Sequence, residues 1–249
     1  MMLAGAAALP IAQGPVIPHY ERASSCIREN GQFCFSWFVD NFDRVFVPRL
    51  VEHIWLTLLA VGIGFAIAFT AALVAYTLDW FETPFAILAA FLYTIPSLAF
   101  FQLLVPITGL TVTSAEIALV SYTILILFRN TLTGLREVPE DARLAARAMG
   151  LTKGQILRRV ELPLALPLMF AGIRISAVNV VATATIAPLA GVTTLGDPII
   201  NVNTYGDEGR LAAAIVVALL AVATEVVLGT AQRAVTPRGL RVNRREAVT

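Results

Sequence analysis

Histidine and cysteine are the strongest metal ligands and nucleophiles available to the chain, and it has two of each: His19, His53, Cys26 and Cys34. Only His19 lies near the two thiols in sequence, which is too small a ligand set for a closed metal centre, so no metal site is expected. In an oxidising compartment Cys26 and Cys34 would instead close a small loop as a disulfide. No G-x-x-x-x-G-K-[ST] stretch is present, so any ATP must bind to another chain. The long apolar runs hold no cluster of Asp, Glu or His from which a catalytic constellation could be built, so an enzyme is not expected. They do hold scattered polar groups: Thr94 and Ser97 beside Pro96, then Asn179, Thr183 and Thr185, with the charged Arg129, Arg174 and Glu225. In an apolar medium the uncharged groups either bond a neighbouring helix or line a polar path; the three charges are expected to face the bundle or lie near the cytoplasmic boundary, in structural ion pairs rather than on a solute.

The elements that position these groups follow from composition. The chain is 57% apolar and only 14% charged over 249 residues, too little charge for an ordinary soluble domain of that length. Runs without charge extend from Ile54 to Leu78, Thr83 to Ser114, Ile175 to Gly196 and Leu211 to Thr224. Crossing a hydrocarbon core of about 30 Å takes roughly 20 apolar residues in a helix. The runs lack the polar face at helical period that a soluble bundle would show. The expected fold is therefore all-α: a polytopic membrane bundle with spans near 53–76, 84–105, 114–132, 164–190 and 211–231. Residues 1–50 form an N-terminal segment before the bundle, 51–232 the bundle, and 233–249 a basic tail. No internal repeat is evident.

Orientation follows from where the basic residues lie. The net charge of +1 carries no argument for a nucleic-acid partner. Arg129, Arg136, Arg143, Arg147, Lys153, Arg158 and Arg159 cluster from the end of the third span up to the fourth, and Arg233, Arg238, Arg241, Arg244 and Arg245 in the tail. Both clusters belong on the cytoplasmic side by the positive-inside rule. With five spans the N-terminus then lies outside, as does the segment Gly191 to Gly209, which has acidic but no basic residues. Ahead of the first span, Phe33, Phe35, Trp37, Phe38, Phe42 and Phe46 interleave with Asp40, Asp43 and Arg44, a mixture suited to the outer membrane interface.

The stretch from Arg136 to Pro167 writes out a helical hairpin in local chemistry. Pro139 fits a first helical position, Glu140 and Asp141 favour the positive end of the helix dipole, and Arg147 the negative end. Gly150 suits the left-handed position after a helix end, Thr152 and Gln155 make a capping box for a second helix, and Pro163 bounds it. Ala142, Ala146 and Gly150 recur every four residues, a strip of small side chains that another protein could approach closely.

Here the residues carry a resemblance. Ala145-Ala146-Arg147-Ala148-Met149-Gly150, nine further residues, then Val160-Glu161-Leu162-Pro163 resembles the EAA loop of ABC importer permeases. The spacing matches throughout, and Leu144 stands where that pattern has Glu. The likeness extends from about His53 to Arg233. Tyr93-Thr94-Ile95-Pro96-Ser97-Leu98-Ala99, Arg129-Asn130-Thr131, Ala171-Gly172-Ile173-Arg174, and Thr183-Ala184-Thr185 with Leu195-Gly196-Asp197 are similar to the permeases for glycine betaine, carnitine, choline and related osmoprotectants. The resemblance implies a cell-membrane transport subunit with no cofactor of its own. Its partners would be an ATP-binding subunit holding ATP and magnesium, a second permease of identical or homologous sequence, and an extracytoplasmic substrate-binding protein. Ala142, Ala145, Ala146, Gly150, Leu162 and Pro163 would seat on the ATPase, and Thr94, Pro96, Ser97, Asn179, Thr183 and Thr185 would line the translocation pathway. The alternatives are an importer for amino acids or sulfonates, and a self-sufficient channel or secondary carrier.

Overall fold

The computed structural model describes residues 34–236, and among these there is no strand. Helix α1 (Phe35–Asn41) passes through a π-helical turn (Phe42–Phe46) into α2 (Val47–Thr77) without a break. Helices α3 (Asp79–Thr94) and α4 (Ser97–Thr108) follow, then α5 (Val112–Arg136). A hairpin of α6 (Glu140–Ala148) and α7 (Lys153–Ile156) leads through a second π-helical turn (Leu157–Glu161) into α8 (Leu162–Thr183). A 3₁₀ segment (Ala184–Ala190), α9 (Asp197–Ile200) and α10 (Val202–Val235) complete the described chain.

Among the described residues, four helical stretches are long and apolar enough to cross a membrane: Phe35–Thr77, Val112–Arg136, Lys153–Ala190 and Val202–Val235. The span expected at 84–105 is instead two helices, α3 and α4, bent by 97°. The cause is local: the Pro96 ring holds Ile95 extended at ψ 125°, and Pro96 itself, with ψ 129°, is not helical either. The boundary expected at residue 50 falls inside α2, because the aromatic segment ahead of it is helical and packed. Phe46 is fully buried beside Leu195, Ala212 and Ala213, with Trp37, Phe38 and Phe42 around them. Residues 1–33 and 237–249, including Cys26, His19, Arg238, Arg241, Arg244 and Arg245, lie outside the described residues.

Helix α5 is the centre of the bundle, with Leu119, Leu127, Phe128, Leu132 and Leu135 buried. Its N-terminus is capped by Thr111, whose hydroxyl accepts from the Ser114 amide, satisfying one of the donors a helix start leaves open. Two glycines let the neighbouring spans close on it. A Cβ at Gly64 of α2 would fall 1.8 Å from the Thr123 hydroxyl oxygen, and one at Gly172 of α8 would fall 2.7 Å from Asn130 Cβ. Absence of a side chain at these two positions therefore sets how closely the helices approach. Helix α10 is peripheral: 11% of its most apolar window is buried, against 50% for α5. His53, at the start of the span expected from the sequence, is fully buried in α2, with Nε2 2.9 Å from the Val181 carbonyl oxygen of α8. A partner on a neighbouring helix makes burial of the ring tolerable.

Candidate functional site

The hairpin between α5 and α8 follows its local signals closely. Glu140 and Asp141 occupy the first turn of α6 and Arg147 its last, the arrangement the helix dipole favours. Gly150 has φ +79°, a left-handed conformation that costs a side-chain-bearing residue strain. Gln155 N–H donates to the Thr152 hydroxyl while Thr152 N–H donates to the Gln155 side-chain oxygen at 2.8 Å, a complete capping box. Two details differ from expectation. Pro139 is the cap residue of α6, with ψ 135°, and the helix starts at Glu140. Pro163 does not bound the second helix. The π turn shifts the bonding so that Leu162 N–H reaches the Leu157 carbonyl, and the chain passes through Pro163 as the first turn of α8, where a missing N–H is tolerated.

What the local signals do not specify is which face of the hairpin is outward. Ala146 is 1% exposed and Ala142 is half-buried, so the strip of Ala142, Ala146 and Gly150 turns largely inward and only Gly150 is open. The outward side carries Leu144, Ala145 and Ala148, continued by Met149, with Asp141 and Arg147 exposed beside them; Leu144 is 50% and Met149 71% exposed. Leu162 and Pro163 are half-buried where α8 begins. A buried cluster that the pattern reading missed fixes this orientation. Arg143 Nε donates to Glu161 Oε1 at 2.9 Å, the Tyr76 hydroxyl donates to the same oxygen at 2.8 Å, and Arg143 Nη2 donates to the Leu135 carbonyl at 2.8 Å. The side chains of Arg143 and Glu161 are 14% and 8% exposed. The hairpin is thus fastened to α2, α5 and the root of α8 by one charged group, with its apolar face left outward. Nearby, Glu82 of α3 receives Arg136 Nη2 at 2.6 Å and lies 3.9 Å from Arg129 Nη1.

The polar positions inside the spans are used in two ways. The hydroxyls of Thr94, Thr183 and Thr185 donate to the carbonyls of Phe91, Asn179 and Ala182 on their own helices. Such back-bonding satisfies a hydroxyl in an apolar medium and softens the helix locally. The backbone irregularities meet: α4, which begins at Ser97 after the Pro96 break, packs on the 3₁₀ segment Ala184–Ala190. Phe100, Phe101, Ala184, Ala187 and Ala190 share one core, and Gln102 donates to the Leu189 carbonyl. The Tyr122 hydroxyl donates to the Ile95 carbonyl at 2.6 Å, occupying an acceptor at the break. Broken backbone inside a bundle is tolerated where protein or a cavity covers it.

Beyond the 3₁₀ segment, two distant stretches of the sequence meet. A Cβ at Gly196 would lie 1.8 Å from the Thr185 carbonyl oxygen, and the Thr194 hydroxyl donates to the Ala184 carbonyl at 2.8 Å. Asp197 then receives Arg49 of α2 at 2.8 Å and the Tyr205 hydroxyl of α10 at 3.0 Å. Burial pushes the Asp197 carboxyl up, but hydrogen bonds from Arg49, Asn201 and Tyr205 and the charge of Arg49 outweigh it and leave the group below its ordinary value. Arg49 was not among the expected functional residues, and no spacing in the sequence points from it to Asp197. Cys34 is buried at the start of α1, and its expected partner Cys26 lies outside the described residues.

Apolar spans, a charge-anchored hairpin with an exposed apolar face, and broken helices packed together define a membrane permease. The chain belongs to the family of binding-protein-dependent transport system inner membrane components, which it matches over residues 60–241. It is therefore the permease subunit of an ABC importer and not an enzyme. It is 36% identical to the osmoprotectant import permease protein OsmW of Salmonella typhimurium, over 76% of this chain and 91% of that one. Identity is 35% to the choline transport system permease protein OpuBB of Bacillus subtilis, over 77% and 89%, and 35% to the carnitine transport permease protein OpuCB of Listeria monocytogenes, over 83% and 94%. Among solved structures, an inward-facing MetNI methionine ABC transporter superposes with TM-score 0.69 over 80% of this chain and 99% of that one. At 21% sequence identity, that likeness concerns the fold.

Proposed function

We propose that this permease imports a compatible solute of the quaternary-amine kind, glycine betaine, choline or carnitine among the candidates, driven by a separate ATPase. The solute class rests on the osmoprotectant, choline and carnitine activities of its relatives. The observation that carries the coupling role is the hairpin, whose buried Arg143–Glu161 pair holds Leu144, Ala145, Ala148 and Met149 outward as one apolar face. A rigid element with an exposed apolar face is suited to transmit a movement of the partner seated on it. ATP and magnesium belong to that partner, and this chain needs no cofactor of its own. The solute passes from an extracytoplasmic binding protein into a path formed with a second permease, past the Pro96 break, Thr94, Ser97, Asn179, Thr183 and Thr185. The N-terminus lies outside, where Cys26 and Cys34 can pair, and the basic tail lies in the cytoplasm.

The test is uptake of radiolabelled glycine betaine, choline and carnitine by cells lacking the gene, with and without osmotic stress, complemented by wild type or by a Leu144→Asp/Met149→Asp variant. Selective loss of one solute, restored by wild type and not by the variant, is the expected result. Unchanged uptake of all three moves the solute to another class, amino acids or sulfonates. Flux through liposomes containing this chain alone would replace the importer mechanism with a channel or carrier.

A further inference from the structure

One ion pair lies within the helices of two spans, α8 and α10, and is not enclosed by the chain. Arg174 lies on α8 about 18 Å along the axis from Leu162 and about 14 Å from Thr183, and Glu225 lies on α10 about 15 Å from Val235. Arg174 Nε and Glu225 Oε1 are 3.1 Å apart, yet their side chains are 34% and 49% exposed. Arg174 Nη1 donates to Gln232 Oε1 at 3.1 Å, and Gln232 is held in turn by donating to the Pro167 carbonyl. Nε makes no hydrogen bond despite its distance from the carboxylate, so the contact is an attraction of charges without aligned donors. Facing hydrocarbon, such groups would be costly; in membrane bundles they face a partner or a polar path.

The geometry around the pair leaves one side of it uncovered by this chain. Around α8, the faces carrying Ala165, Met169, Gly172 and Ser176 are buried, while Ile175 and Ala182 are exposed and Ala171, Val178 and Asn179 half-buried. At helical spacing the last five form one open face, with Arg174 at one edge and Asn179 at the other. The opposite edge of the α8–α10 contact is a groove of about 490 Å³ shared with α2, lined by Ile54, Leu58, Val61, Ile173, Leu220 and Val227 among others. Its two threonines, Thr57 and Thr224, donate to carbonyls of their own helices, so the groove has no free hydroxyl for a polar solute. The groove on one side of α8 is walled by α2 and α10, while this chain leaves the other face uncovered, with Arg174 at its edge.

We propose that Arg174 and Glu225 form a transient site for a zwitterionic solute on the translocation path: the guanidinium takes the solute carboxylate, and Glu225 faces its quaternary ammonium. The proposal rests on the importer reading above and narrows its solutes to those carrying both charges. An arginine offers a planar fork to a carboxylate, and here Nη1 donates to Gln232 while Nε is enclosed without a hydrogen bond. When the solute leaves, Arg174 and Glu225 neutralise each other, so no bare charge is left in the membrane.

The test is ATP-driven uptake of radiolabelled glycine betaine, the simplest such zwitterion, by proteoliposomes holding the complete transporter with its ATPase and binding protein. Arg174→Gln and Glu225→Gln are each expected to lower uptake on the order of tenfold or more. The exchanged pair, Arg174→Glu with Glu225→Arg, keeps the attraction but reverses the charges, and its uptake is expected to stay as low. Recovery in the exchanged pair, or full uptake in the single variants, makes the contact structural and overturns the proposal. Should the exchanged pair fail to assemble, Arg174→Lys decides: it keeps the charge and loses the fork, so an assembled complex with reduced uptake supports the site and one with full uptake refutes it. A wild-type complex carrying no zwitterion refutes the solute class itself, whereas wild-type uptake unaltered by the variants refutes the site alone.

Discussion

The hairpin at Arg136–Pro163 and the turn at Gly191–Asp197 link helices at opposite ends of the bundle, and they are held in opposite ways. The hairpin shapes itself: a dipole-matched α6, a left-handed Gly150 and a capping box at Thr152 produce its form within a few residues, and one buried charge cluster then docks it. The turn has some local instruction, a left-handed Gly191 and the Thr194 hydroxyl accepting from the Gly196 amide. Its place is set by groups outside it: the Thr185 carbonyl against Gly196 and the Ala184 carbonyl on Thr194, each a short way back along the chain, and Arg49 of α2, 148 residues away, on Asp197. A self-shaped element can be moved as a unit by a partner without losing its form, whereas an element shaped by its surroundings cannot move without them. That difference suits a transmitter at one end and a fixed frame at the other.

Substitutions can break this contrast, beginning with the largest expected effect. Arg143→Ala leaves the Glu161 carboxylate buried without its countercharge and is expected to cost about 3–5 kcal/mol. Thermal unfolding of the purified permease should show the loss, and Arg143→Met with Glu161→Leu should recover most of it; a single variant as stable as wild type would mean that the cluster does not hold the hairpin. Gly196→Ala drives a Cβ into the Thr185 carbonyl, a backbone atom with little room to yield, and is expected to cost about 1–3 kcal/mol. A smaller cost than that of Gly154→Ala, where the added carbon meets nothing within 4 Å, would refute the locked turn. Thr152→Ala removes the cap and is expected to cost about 1 kcal/mol, read as faster proteolysis confined to the hairpin.

The smallest effect is one of pH. The Asp197 carboxyl is held below its ordinary value of 3.8, so its contribution is fully present above that value and is lost as pH falls through the lower, folded one. Asp197→Asn should flatten the acid limb of stability between those two values, and an unchanged limb would assign the acid sensitivity to other groups.

Legibility in the sequence divides along the same line. The all-α membrane fold, the hairpin with its left-handed glycine and capping box, and the family all follow from patterns spanning a few dozen residues. The break of the second span was half legible: Pro96 marks the place, but the 97° bend depends on α4 finding the 3₁₀ segment to pack against. The outward face of the hairpin was not legible. The four-residue recurrence of Ala142, Ala146 and Gly150 identifies a close-packing strip, and only the bundle beneath α6 decides that the strip turns in and Leu144 and Met149 turn out. His53 likewise reads as a residue near a span end until α8 brings the Val181 carbonyl to it.

The sequence by itself determined that this chain crosses a membrane, broadly where its spans lie, and that its third connection is a hairpin, because hydropathy, capping and backbone preference act between near neighbours; it placed the starts of α2 and α10 near 53 and 211, whereas the helices begin at Val47 and Val202. Only the tertiary structure decided which charges pair, Arg143 with Glu161, Arg49 with Asp197, Arg174 with Glu225, since each pair joins helices whose separation in the chain says nothing of their distance in space. It also decided which faces stay open, because exposure depends on what the rest of the bundle leaves uncovered.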